Sequence, residues 1–322
     1  VINTNTASMI ARDAIHRNER SMSTAMERLS TGFRINSAKD DAAGLAISDR
    51  MSAQVSGLNM AVRNANDAIS LLQTVDGAAQ EISNMLTRMY ELAVQAVSGT
   101  YTSTDRTALD LEFGELMKEI QEIAERTEWN GNSIMDATYS TSGTGTSDDD
   151  MLDVQIGAEA GQTMNIRIKD WRPTASKDGE LASAEDATAN GIDSADSAYN
   201  LAGTANGTEA ALYFNAGTEN TERLVITSAA AAAIAVKNLN NAIDGAAKER
   251  AQYGAYISRL QHAADNLQNV ATNTAASKSQ ISDADYATET TELARTQIIS
   301  QASTAMLAQA NQVKQTVLAL LR

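Results

Sequence analysis

Leu29–Arg50 reads LSTGFRINSAKDDAAGLAISDR, and helical patterns run away from it on both sides. Charge, small residues and aliphatics alternate within it at short range, which is unlike an ordinary connector. Gly32 and Gly44 bracket the segment, and glycine admits backbone angles or close approaches that a side chain forbids. Between them stand two cations, Arg34 and Lys39, and two adjacent anions, Asp40 and Asp41, flanked by Phe33, Ile35, Leu45 and Ile47. Taken locally, two readings are open: a solvated loop with a helix start at Ser37 or Asp40, or a packed, folded-back segment whose charges meet neighbouring subunits.

Toward the N-terminus, Ile10, Ala14, Met22, Met26 and Leu29 recur loosely at helical spacing among Arg12, Arg17, Arg20 and Arg28. They predict a weakly hydrophobic helix that is marginal alone. In the other direction, Met51, Val55, Leu58, Val62, Ala65, Ile69 and Leu72 alternate steps of four and three. Val75, Ala79, Ile82, Leu86, Met89 and Ala93 repeat the alternation after one phase slip. This is a coiled-coil seam of about 45 residues, which at ~1.5 Å per residue spans about 65 Å. Ser98–Thr100 ends it, Ser103–Asp105 can cap a second helix carrying Leu109, Leu116, Ile120 and Ile123, and Asn130 and Gly131 form a turn.

Residues 137–150 are poor in apolar side chains and read as a surface loop. Val154 and Ile156, then Met164, Ile166 and Ile168, alternate with polar residues around GAEAGQT and predict a β-hairpin. Residues 171–210 show little periodicity, and Leu212–Phe214 with Leu224–Thr227 suggest another short strand pair. A second seam begins near Ala229 and runs through Leu239, Ile243, Ala246, Tyr253, Ile257, Leu260, Ala264, Leu267 and Ala271, broken only at Arg250. Beyond a break at Ile281–Asp285, one apolar face carries Ile299, Ala302, Met306, Ala310, Val313, Val317 and Leu320. An amphipathic terminal helix of this kind implies that other chains cover its apolar face. Both ends thus follow one plan, a marginal terminal helix joined to a long coiled-coil helix, mirrored around an insert.

Composition narrows the function. The chain has 322 residues, is 43% hydrophobic and only 4% aromatic, and has a single proline, Pro173. Extended helical architecture fits this better than a compact globule with a bulky core. A net charge of −16 argues against general affinity for nucleic acid or an anionic membrane. The acidity concentrates between Asp136 and Arg223, where 16 Asp and Glu face 5 Lys and Arg. Cysteine is absent, so disulfides and thiolate metal sites are not available. The first twenty residues lack the apolar core of a secretory signal, and no run of about 18 apolar residues could span a membrane. Any export is expected to use another route.

The stretches VINTNTASM, LSTGFRINSAKDDAAGLAISDRM, LTRMYELAVQAVSGT, TEWNG, QIGAEAGQT and QIISQASTAMLAQANQVKQTVLALLR occur in this order. Together with the mirrored plan they resemble bacterial flagellin, over roughly residues 1–169 and 235–322. The resemblance implies a mainly α fold with a small β part, built as a long coiled-coil helical rod. Its expected division is an inner terminal-helix domain (1–42 and 286–322), a helical middle domain with a β-hairpin (43–169 and 235–285) and a small α/β or β outer insert (170–234). It further implies a homo-oligomeric helical filament outside the cell, assembled from subunits that leave unfolded through the type III flagellar export channel. Export chaperone, cap and hook-junction proteins are the implied partners. Ile10, Met22, Met26, Leu29, Ile299, Met306, Val313, Val317, Leu320 and Leu321 are then expected at subunit interfaces, with Arg34, Lys39, Asp40 and Asp41 from the opening stretch. Leu86–Gln95 resembles the segment recognised by the vertebrate surface receptor TLR5, with Arg88, Glu91, Leu92 and Gln95 matching and Glu112 on the next helix. Thr87 and Tyr90 depart from the commonest pattern. Val317, Leu318, Leu320 and Leu321 resemble the tail sensed by NAIP receptors.

Chemistry is expected to be absent. Some flagellins carry a zinc peptidase in the insert, but the only histidines here are His16 and His262, far from the two-histidine helical spacing such a site needs. Asp148–Asp150 and Asp153 lack the spacing of a calcium loop, and Asn206–Thr208 matches a glycosylation acceptor only weakly. No cofactor, metal or catalytic residue is assigned. Two alternatives stay open, a hook-filament junction protein and a surface filament with an adhesive or enzymatic outer domain. Placed between a marginal helix and a long rod helix, Leu29–Arg50 is expected to be packed at an interface.

Overall fold

The four-three alternations become uninterrupted helices. In a computed structural model, α1 spans Thr6–Thr31, α2 Ala42–Val97, α3 Ser103–Arg126, α4 Ala229–Ser282 and α5 Tyr286–Leu320. The fold is mainly α, as expected from the sequence. Three two-stranded antiparallel ladders make up the small β part: β1 (Glu128–Trp129) with β2 (Asn132–Ser133), β3 (Asp150–Gln155) with β4 (Thr163–Ile168), and β5 (Tyr213–Asn215) with β6 (Thr221–Arg223). The structure describes residues 6–136, 150–169, 171–173, 213–215 and 221–320, without side chains at 7, 150–151, 213–215, 221–223, 311 and 313–320. The loop reading of 137–149, the acidic pair Asp148–Asp149, the Asn206–Thr208 motif and Leu321 fall outside these residues; Asp150 itself opens β3.

The chain divides into two compact units, residues 1–56 with 269–322, and residues 57–268. The second unit holds one continuous apolar core. Leu72, Val75, Ala79, Ile82, Leu86, Met89 and Ala93 of α2 are completely buried there with Phe113 and Ile120 of α3 and Leu239, Ala242, Tyr253 and Leu260 of α4. Each large aliphatic buried this way contributes about 1.5–3 kcal/mol, so the seam read from the sequence carries this unit. Arg250, where the second seam breaks, reaches Asp76 at 2.8 Å, with both side chains only partly covered. Antiparallel α2 and α3 are clamped at two levels: the Arg106 Nε donates to the Ala96 carbonyl at 2.7 Å, and Arg88 meets Glu112 at 2.9 Å.

The expected hairpin forms as β3–β4, with Val154 opposite Met164 and Leu152 opposite Ile166. Val154, Met164, Ile166 and Ile168 point into the core. The other strand pair differs from expectation. Leu224–Ile226 is not part of β6; Leu224 and Ile226 are buried, and the Ile226 amide donates to the buried Asp110 carboxylate at 2.9 Å. The apolar triplet is thus a packing anchor for the chain's return to the helices, and the pairing residues are the polar Thr221–Arg223 just before it. A second anchor is Trp171, whose indole N–H donates to the buried Tyr253 hydroxyl at 3.0 Å. Burial pushes that phenol's ionisation far up, so it stays neutral. Lys169 pairs with Glu249 at 2.8 Å beside it.

In the first unit α1 and α5 pack against each other. They run antiparallel, because Asn18 bonds the Thr296 carbonyl while Arg28, further along, bonds Glu289.

Candidate functional site

The first unit inverts the pattern of the second. Of forty buried apolar residues among those described, the first unit holds three, Ala25, Ile35 and Ala271. Of fourteen exposed large apolar residues it holds ten, among them Met9, Ile10, Met26, Phe33, Ile298, Ile299 and Met306. Its internal seam is polar instead. Asn18, Glu289 and Thr296 are buried, and the half-buried Leu293, Ser300, Ser303, Leu307 and Ala310 continue the same four-three row along α5. The Asn18 side-chain amide donates to the Thr296 carbonyl at 2.7 Å, and Arg28 binds Glu289 at 2.9 Å with the Glu289 side chain 11% exposed. The Arg28 Nε is buried without a partner.

The apolar row read in α5 is therefore not the row that faces α1. Ile299 and Met306 are 37% and 68% exposed, Ala302 is exposed, and of the row's described side chains only Ala310 joins the inner row. Val313, Val317 and Leu320 lie on the last turns of α5, where only the backbone is described. On α1, Ile10 and Met26 point outward at 68% and 52% exposure, whereas Met22 and Leu29 are half-buried in line with Asn18 and Ala25.

The opening stretch is pinned rather than loose. Gly32 closes α1 by donating to the Arg28 carbonyl at a positive φ of 76°, an angle that only glycine adopts without strain. The backbone then pairs with the α4–α5 junction: Arg34 N–H to Ser282 O at 2.7 Å and Ala284 N–H to Gly32 O at 2.9 Å, while the Arg34 guanidinium caps the Ile281 carbonyl. Gly44 serves differently, since a Cβ there would collide with Asp41 and Ile35. The two carboxylates are spent on backbone rather than on the two cations. Asp40 accepts from the Ser37 and Asn36 amides and the Ser37 hydroxyl, which hold its ionisation below the usual carboxylate range. Asp41 accepts from the Gly44 amide at 2.9 Å, in the first turn of α2. Lys39 lines an open groove of about 560 Å³ with Arg17, Arg20, Arg28, Glu289 and Glu292.

On the second unit, Arg88 bridges Glu91 at 3.0 Å and Glu112 at 2.9 Å, and these two carboxylates, Glu112 foremost, raise its already high pKa. Gln95 donates to the Tyr101 hydroxyl at 2.8 Å. Leu92 is 1% exposed and belongs to the core. Of the candidate residues here, Arg88, Glu91, Gln95 and Glu112 lie at the surface, whereas Leu92 packs inside.

Family models match both ends of the chain: the bacterial flagellin N-terminal helical region over residues 2–140 and the bacterial flagellin C-terminal helical region over residues 236–321. Flagellin D of Vibrio anguillarum is 37% identical over 372 aligned positions, covering 99% of each chain. The chain belongs to the bacterial flagellin family. Flagellin D of Vibrio cholerae serotype O1 is 35% identical, again over 99% of both chains. The crystal structure of Bacillus cereus flagellin is 30% identical over 67% of this chain and 94% of that one, with a TM-score of 0.42. Membership makes the chain a structural protein and not an enzyme. The polar seam of α1 and α5 and the anchors at Trp171 and Asp110 had no signal in the apolar pattern; Asn18 and Thr296 become visible only as the four-three continuations of rows that also hold Ala25 and Leu293.

Proposed function

We propose that the chain is the bulk subunit of an extracellular flagellar filament that drives swimming, and that its first unit is the assembly surface. The observation that carries this is the inversion just described, a unit that among the described residues buries Asn18, Ser48, Ser282, Glu289 and Thr296 but only three apolar residues, and leaves ten large apolar side chains exposed. Apolar rows of this size stay in water only until a second copy covers them, and a head-to-tail contact that does not close generates a filament. Ile10, Met26, Ile299, Met306, Val313, Val317, Leu320 and Leu321 form the assembly faces in this reading, with the half-buried Met22 and Leu29 reaching them from the edge of the α1–α5 seam and Arg34, Lys39, Asp40 and Asp41 at a further subunit contact. A division into inner (1–42 and 286–322), middle (43–169 and 235–285) and outer (170–234) domains is part of this reading. Among the described residues no helix is long and apolar enough to cross a membrane, and export of the unfolded chain through the type III flagellar apparatus, with its chaperone, cap and hook-junction proteins, accounts for an extracellular product. Removing Met306–Arg322 is expected to abolish seeded filament growth seen by electron microscopy; ordinary filaments from the truncated chain would refute the assembly role. Long tubes from the intact chain separate the bulk subunit from a junction protein, which would give none.

The exposed Arg88, Glu91 and Glu112 cluster supports a second role, recognition by TLR5, and the C-terminal Val317, Leu318, Leu320 and Leu321 a third, recognition by NAIP receptors. Arg88→Ala is expected to lower receptor signalling by the monomer at least tenfold, the effect of removing one hydrogen-bonded charge at an interface. Signalling equal to the parent would count against the first of these.

A further inference from the structure

We propose that Met9, Met26 and Met306 are oxidation sites of the unassembled subunit, at which conversion to the sulfoxide blocks polymerisation. The inference rests on the assembly reading above and adds a modification to the same faces. The chain holds twelve methionines and no cysteine, so thioethers are its only sulfur available to a two-electron oxidant. Their environments differ sharply. Met89 and Met135 are completely buried and Met164 and Met117 nearly so, whereas Met9, Met26 and Met306 are 61%, 52% and 68% exposed. These three share the first unit with the exposed Ile10, Ile298 and Ile299. Met60, 48% exposed, lies in the second unit.

The chemistry is complete with a peroxide as oxidant. The thioether sulfur attacks one peroxide oxygen, the O–O bond breaks, and hydrogen peroxide leaves as water while sulfur gains one oxygen. A flexible apolar side chain thereby becomes a polar one carrying a strong acceptor. Buried against an apolar neighbour, that acceptor loses its water without a replacement donor, which penalises association about tenfold or more per site. A covering neighbour also screens the sulfur, so an assembled subunit resists the reagent that a free one does not.

Full-length monomer and seeded filaments are treated with hydrogen peroxide, mapped by peptide mass spectrometry, and the treated monomer is seeded. Sulfoxide is expected at Met9, Met26 and Met306 in the monomer, at least fivefold less at the same positions in filaments, and little at Met89 and Met135 in either. The treated monomer is expected to need about tenfold more protein to grow, and methionine sulfoxide reductase to restore it. The Met9→Leu, Met26→Leu, Met306→Leu triple variant keeps the apolar volume and is expected to polymerise after peroxide as before it. Equal growth of treated and untreated parent, or equal loss in the triple variant, overturns the proposal while leaving the assembly reading intact. Failure of untreated parent to polymerise overturns both. Should the triple variant itself not assemble, the reductase arm decides: no recovery of the parent sinks the idea.

Discussion

Thr102 and Asp105 show how much one pair of side chains settles. The Thr102 hydroxyl accepts from the Asp105 amide while the Asp105 carboxylate accepts from the Thr102 amide and hydroxyl, closing the first turn of α3 reciprocally. The Thr102 amide and hydroxyl hold the Asp105 pKa below 3.8, and Asp285, bonded by Thr288 and the Ala287 amide, is lowered in the same sense. A carboxylate more acidic in the folded than in the unfolded chain contributes stability that is fully present above the unfolded value, because below it the unfolded state binds more protons. That contribution disappears as pH falls from about 3.8 through the lowered folded value. Asp105→Asn is therefore expected to melt below the parent at neutral pH and to converge with it in stronger acid, as followed by circular dichroism. A constant gap between the two at all pH values would mean that the carboxylate charge is not what caps α3.

Among the elements, α2 and α4 were legible because their seam is written in Leu, Ile, Val and Ala at one period, and burial alone places such residues inward. Leu86→Ala is expected to cost about 2–5 kcal/mol in denaturant unfolding, since Leu86 is completely enclosed. The hairpin β3–β4 was equally readable, from strict alternation around a turn. The pairing of α1 with α5 was not, because Asn18, Glu289 and Thr296 carry no hydrophobic signal, and of the apolar residues that do carry one, Ile10, Met26, Ile299 and Met306 point away from the seam while Met22 and Leu29 line it only half-buried. Leu224–Ile226 misled for the opposite reason: a short apolar run announces burial but not hydrogen-bonding pattern. The opening stretch is pinned to the α4–α5 junction, and the use of Asp40 and Asp41 on local amides depends on backbone geometry that charge spacing does not encode.

For the whole molecule, the contrast between units predicts a contrast in opening. Local stability follows the amount of apolar contact that must be broken, and the first unit has little. Amide hydrogens of α1 and α5 in the monomer are expected to exchange at least a hundredfold faster than those of α2 around Val75–Met89, read by mass spectrometry. Comparable protection would show that the polar seam holds as firmly as the aliphatic core. In filaments, slowed exchange in α1 and α5 would report the covering of their outer rows.

Asn18 and Thr296 are 278 residues apart in the chain. Closing a contact over that separation waits until nearly every residue is present, and the entropy of the intervening chain opposes it throughout. A polypeptide interrupted anywhere before Tyr286 lacks α5 and keeps α1 without that partner, however well its middle has folded. The seam thus acts as a length check: a fragment that stops between α4 and α5 retains every residue of the aliphatic core but never presents the paired helices on which joining a polymer depends.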